Sequence, residues 1–194
     1  PTLVGDVTYG RYPDGDDNAE LLTIVTPLAP NDNSGGPPPE PQPMPAIYIN
    51  EWMADNDNTI EDPDEAGAFE DYFELYNDED FAVDLSGMHL TDNLADPTKF
   101  EIPAGVVIGS KCYLLFWADN EPEQGPMHTN FALSKAGEAI GLYGSRQDCL
   151  AEVDTITFGA QTTDVAQGRY ADGRSCIKTL RTPSPGTSNV TVLG

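Results

Sequence analysis

Short apolar runs, each cut off by a turn signal, govern what this chain can fold into. Ile47, Ile49 and Met53 alternate with more polar neighbours. Phe73 and Leu75 form a second run, ended by Asn77-Asp78. Val83 and Leu85 enter the Ser86-Gly87 turn, and Met88 and Leu90 leave it. Phe100 and Ile102 precede Pro103-Ala104-Gly105, and Val106 and Ile108 lead to Gly109-Ser110. Phe131 with Leu133, Ile140 with Leu142, and Ile156 with Phe158 supply three further strands. Cys112–Trp117 is apolar at every position, the pattern of a strand buried on both faces, with Cys112 packed as a small hydrophobe. No stretch keeps a helical spacing of apolar residues. Strands of this length, with turns roughly every eight to twelve residues, predict an all-β sandwich or barrel.

A partial repeat sets the domain organisation. Asp164-Val165, Gly168-Arg169-Tyr170 and Asp172-Gly173 are echoed by Asp6-Val7, Gly10-Arg11-Tyr12 and Asp14-Gly15, at a constant offset of 164 − 6 = 158 residues. Thr26-Pro27 and Thr182-Pro183 follow each copy. Only the tail of the unit is duplicated. Residues 1–33 therefore read as two strands, around Val4–Tyr12 and Leu21–Thr26, too few to be stable alone. Residues 34–45 are a Pro- and Gly-rich linker, a semi-rigid spacer of about 3 Å per residue. The domain proper is expected over 46–190.

Charge narrows the partners. The chain carries 33 acidic and 9 basic residues, a net charge of −24. Such a surface repels phosphate backbones, so nucleic acid is not an expected partner. No apolar run approaches the ~18 residues of a membrane span, so no membrane insertion is expected. Cys149 and Cys176 lie beside polar, turn-like sequence and are a candidate disulfide, which would suit an oxidising compartment.

Ordered motifs then carry a resemblance. Ile49-Asn-Glu-Trp-Met-Ala54, Phe73-Glu-Leu-Tyr-Asn77, Asp84–Asp92, Tyr113–Asp119, His128–Ser134, Gly141-Leu-Tyr143 and Asp154–Tyr170 are similar to the lamin tail domain family as it occurs in bacterial surface proteins. The resemblance covers roughly residues 46–189. It implies an immunoglobulin-like β-sandwich and a non-catalytic module of a secreted, extracellular or cell-surface protein. Residues 1–33 then resemble the last two strands of a preceding copy. Animal members contact the nuclear envelope and in some cases nucleic acid, a use for which this chain's charge has the wrong sign.

Three groups of residues are candidates for chemistry. The acidic stretch 54–71 holds Asp55, Asp57, Glu61, Asp62 and Asp64, oxygen donors of the kind that calcium gathers, although the EF-hand glycine and terminal glutamate are missing. Its alternative is a solvated acidic loop. Arg169 is expected to pair with Glu51 or Glu74 at a sheet edge, a structural role in which arginine presents its fork to a carboxylate. His89 and His128 stand in no metal-spaced cluster. There is no Gly-x-Ser-x-Gly elbow, phosphate-cradling loop or Cys-x-x-Cys, so no enzyme and no cofactor other than calcium is expected.

The functional expectation is a structural or adhesive module whose N-terminal strands pair with a neighbouring molecule, itself or another surface protein, through Val7, Tyr9, Arg11, Tyr12, Leu22 and Ile24. Repeated head to tail, that contact builds a filament. The alternatives are a passive accessory module of a larger extracellular enzyme and a calcium-binding interaction domain.

Overall fold

Apolar side chains at every second position build two sheets that face one another. The computed structural model describes residues 8–11, 19–22, 43–146, 149–180 and 182–189. In chain order the strands are β1 (Thr8–Arg11), β2 (Ala19–Leu22), β3 (Ile47–Met53), β4 (Tyr72–Asn77), β5 (Val83–Asp84), β6 (His89–Thr91), β7 (Phe100–Glu101), β8 (Val107–Ile108), β9 (Tyr113–Trp117), β10 (Ala139–Arg146), β11 (Cys149–Thr157), β12 (Ala166–Arg169) and β13 (Ile177–Leu180). No helix is present among the described residues, and none is long and apolar enough to cross a membrane. The chain divides into two units, Pro1–Pro43 with Arg146–Cys149, and Met44–Ser145 with Leu150–Gly194.

The larger unit is an all-β, immunoglobulin-like sandwich. One sheet has the order β13-β12-β3-β4-β9 and the other β11-β10-β6-β7, with β5-β8 as a short ribbon. Ile47, Ile49, Trp52, Phe73, Leu75 and Phe116 from the first meet Leu90, Phe100, Ile140 and Leu142 from the second in one core. Phe73 stacks between Phe116 and Phe131, with ring centroids 5.6 and 6.1 Å away. A bulge between Ile49 and Glu51 inserts Asn50 into the ladder against β4. Because strand side chains alternate with period two, that extra residue changes the parity of everything after it. Ile47 and Ile49 point into the core before the bulge, and Trp52 and Ala54 do so after it. Glu51 and Met53 are thereby turned to the sheet's outer face.

That outer face is covered as well. Met53, Tyr72, Trp117, Ala166 and Leu180 form a second apolar cluster there. Beside it the segment 182–189 hydrogen-bonds onto β3 and β4.

In the smaller unit β1 and β2 are an antiparallel hairpin that pairs Thr8 with Leu22 and Arg11 with Ala19. In the sandwich β12 and β13 pair Ala166 with Leu180 and Arg169 with Ile177. Adding the sequence offset of 158 to each residue of the first pair of strands gives the second, residue for residue. Leu22 and Leu180, equivalent by that offset, are both buried.

Three expectations need correction. β9 lies at the edge of its sheet, so Tyr113, Leu114 and Leu115 are only half-buried, and burial on both faces is confined to Phe116 and Trp117. Cys112 is exposed, because it closes a turn in which its N–H donates to the Gly109 carbonyl at 3.2 Å, outside the strand. Phe131 and Leu133 are buried but form no strand, only an isolated bridge between Asp119 and Ala132. Of the linker expected over 34–45, residues 34–42 lie outside the described residues.

Candidate functional site

Glu51 and Glu74 stand directly opposite one another in the β3–β4 ladder, and both are fully buried. Like charges so placed repel. The two carboxyls are distinguished by their partners. Glu51 accepts hydrogen bonds from the Tyr72 hydroxyl at 2.7 Å, the Ser184 N–H at 3.1 Å and the Ser184 hydroxyl at 2.8 Å. Glu74 accepts from the Gly186 N–H and, at 3.4 Å, from the Asn50 amide. Burial pushes the Glu74 carboxyl up to about 8, with the charge of Glu51 adding to the rise. Burial also raises Glu51, against the pull of its donors. Glu51 is thus the member equipped to carry the charge, and the pair fastens the segment 182–189 to the sheet.

Arg169 does not join them. Its neighbour Gly168 faces Asn189, the Asn50 carbonyl and Leu180 so closely that a Cβ would sit 2.6–2.9 Å from their atoms. Arg169, one residue on, therefore points to the opposite face. There its Nη2 donates to both carboxylate oxygens of Asp154 on β11 at 2.9 Å, and its Nε to the Ile49 carbonyl at 2.9 Å. The ion pair expected with Glu51 or Glu74 is made with Asp154 instead, and it ties one sheet to the other. The bulge at Asn50 is the cause, and nothing in the sequence announced it.

The acidic stretch does not gather its five donors into one calcium site. Asp55 pairs with Lys135. The Asp57 N–H donates to Asp164 Oδ1 at 3.0 Å, and the Asp57 side chain is exposed. Glu61 accepts from the Gly67 N–H at 2.6 Å and is exposed too. The loop is shaped from inside by Asn56. Its Oδ1 accepts from the N–H of Thr59 and of Ile60, while its amide donates to the carbonyls of Ile60 and Glu70.

Asp62 and Asp64 reach a common place, where they meet residues from beyond β9. His128 is joined there by Asp119, whose Oδ2 lies 2.5 Å from Nδ1, and by Asp64, whose Oδ2 lies 3.2 Å from Nε2. Asp62 Oδ2 stands 3.7 Å from Nδ1, outside hydrogen-bond range. The side chains of Asp62, Asp119 and His128 are exposed by only 0, 1 and 2%. Burial lowers the His128 pKa, but its hydrogen bonds to Asp119 and Asp64 and the charges of Asp119 and Asp62 outweigh it, so the ring sits above its ordinary value. Asp62, Asp119 and His128 are the one group of potential metal ligands among the described residues, each offering an atom within 4.8 Å of the others. Sequence reasoning missed His128 because its partners are 66 and 9 residues away, a spacing that no short motif encodes.

Cys149 and Cys176 are unpaired and exposed, like Cys112. Cys149 opens β11 and Cys176 precedes β13, strands of different sheets, so the candidate disulfide is not made. Of the assembly residues, Tyr9 pairs with Leu21 in the hairpin, Arg11 is exposed and Leu22 is buried. Val7, Tyr12 and Ile24 lie outside the described residues.

With this geometry in place, comparison with known families gives one result. The family model described as Lamin Tail Domain matches residues 40–160, more than half of the chain. It covers β3 to β11 and stops before the β12–β13 hairpin. No curated protein and no solved structure matches the chain.

Proposed function

We propose that this chain, which belongs to the lamin tail domain family, is a structural module of a secreted or surface-attached protein and assembles through its N-terminal hairpin. Membership of that family makes the chain an immunoglobulin-like interaction and structural module of a generally non-catalytic kind.

Assembly through the hairpin is supported by the shared register of β1–β2 and β12–β13. The sandwich already holds one such hairpin, with β12 against β3 through Gln167–Trp52 and Gly168–Glu51. The N-terminal copy therefore has the residues to extend a sheet and no vacancy for them in that ladder. A two-stranded hairpin is marginal in water, so it gains most by adding to a larger sheet.

The edge that best suits it is β9 of a neighbouring copy. β9 ends the five-stranded sheet, and its half-buried Tyr113, Leu114 and Leu115 offer apolar surface beside unpaired backbone. Among the described residues, only its last residue is bridged on that side, by His128. A contact between two different surfaces does not close on itself, and repetition yields a filament. The net charge of −24 opposes crowding of copies, so salt should favour the assembly. Deleting residues 1–36 tests the reading. The shortened chain should remain folded, with unchanged circular dichroism, and lose self-association. A deletion variant that assembles like the intact chain rules the hairpin out.

A further inference from the structure

We propose that Asp62, Asp119 and His128 bind one divalent transition-metal ion of the zinc type, which staples the loop 54–71 to the segment that follows β9. Acidic clusters are common on a surface as acidic as this one and mean little alone. What sets this one apart is a buried oxygen that accepts no hydrogen bond, its nearest charged neighbour being His128 Nδ1 at 3.7 Å. Asp62 is 1% exposed, its Oδ1 accepts from the Asp64 N–H at 2.9 Å, and its Oδ2 has no hydrogen-bond partner. A buried carboxylate oxygen left in that condition is unfavourable. Asp62 Oδ2 faces the same nitrogen, His128 Nδ1, that Asp119 Oδ2 approaches. Three ligand atoms from three residues, all within 4.8 Å of one another, need shifts of only about 1 Å to surround an ion at ~2.0–2.2 Å.

The histidine is oriented for the task. Asp64 Oδ2 lies 3.2 Å from Nε2, where it can hold the proton of that nitrogen while an entering ion displaces the Nδ1 proton that Asp119 Oδ2 shares at 2.5 Å. A carboxylate behind a ligating imidazole fixes its tautomer and strengthens it as a donor. The surroundings are negatively charged too, since Asp119, Glu65, Glu121 and Asp62 all act on the neighbouring Glu70. Entry is open on one side, because the Asp64 side chain is 58% exposed.

The donor set chooses the metal. Calcium and magnesium take oxygen ligands, and calcium six to eight of them. Two carboxylates and one imidazole form a three-ligand set of the kind zinc accepts, with a fourth position for water. The inference is independent of the hairpin reading, because β1 and β2 supply none of the ligands.

The test is calorimetric titration with zinc chloride of the full chain in which Cys112, Cys149 and Cys176 are all replaced by Ser, since exposed thiols are themselves zinc ligands. One zinc per chain, with a dissociation constant of about 10 μM or below, is the expected result. A hundredfold excess over that constant should raise Tm by ~5–10 °C. Asp62→Asn and His128→Gln should each weaken binding by tenfold or more. Cobalt bound to the unsubstituted Asp62–Asp119–His128 site should show absorption bands of nitrogen and oxygen ligation, a readout that survives if either variant fails to fold. Absence of saturable zinc binding, undiminished binding in Asp62→Asn, or calcium bound as tightly as zinc would each overturn the proposal.

Discussion

Replacing Glu74 by Gln should remove most of the pH dependence of stability between pH 5 and 8.5. Glu74 is fully buried opposite Glu51, and its carboxyl is raised to about 8 from 4.5, chiefly by burial. The folded state therefore holds a proton that the unfolded chain has released over most of this window. Stability is complete below about 4.5 and is lost as pH rises through about 8. At 1.36 kcal/mol per pH unit, a carboxyl carried that far amounts to as much as ~5 kcal/mol. That is a large share of the ~5–15 kcal/mol that keeps a domain folded. Glutamine resembles the protonated acid and keeps an acceptor for the Gly186 N–H, which Glu74 Oε2 accepts here. Urea unfolding followed by tryptophan fluorescence at several pH values measures the effect. The intact chain should lose several kcal/mol between pH 5 and 8.5 while Glu74→Gln loses much less. A smaller slope remains from Glu51 and from Asp71, which burial raises to about 6. A difference between the two proteins that is the same at every pH would refute the reasoning.

Two further outcomes follow from the same geometry. Arg169→Lys should cost about 2–4 kcal/mol, because one ammonium cannot hold both Asp154 oxygens and the Ile49 carbonyl from the position of the guanidinium, and urea midpoints will show it. All three thiols should react with a chromogenic disulfide reagent without denaturant, since Cys112, Cys149 and Cys176 are free and exposed, whereas a slow or absent fraction would place a thiol inside the fold.

The strands were legible because their signal is local. Ile47 with Ile49, Phe73 with Leu75, and Ile140 with Leu142 each show the alternation that a half-buried sheet imposes, and each pair lies in the core. The family was legible for the same reason, as motifs centred on those strands. What escaped was set by single-residue events and by distant closure. The Asn50 bulge turns Glu51 to the outer face, away from Arg169, and only the ladder reveals it. The place of β9 at a sheet edge comes from topology, so the apolar run at Cys112–Trp117 overstated its burial. Asp62, Asp119 and His128 come together because the loop 54–71 folds across the end of β9, which composition cannot express. The duplicated hairpin was the opposite case. Its offset of 158 could be counted in the sequence, and it reappears as an identical strand register.

Self-association through the N-terminal hairpin is the property on which the proposed function turns. The most direct measurement is molar mass by light scattering across a range of protein concentrations and at two salt concentrations. Masses well above the 20.9 kDa of one chain, rising with concentration and with salt, are the expected result. A mass of 20.9 kDa at every concentration and salt would contradict it.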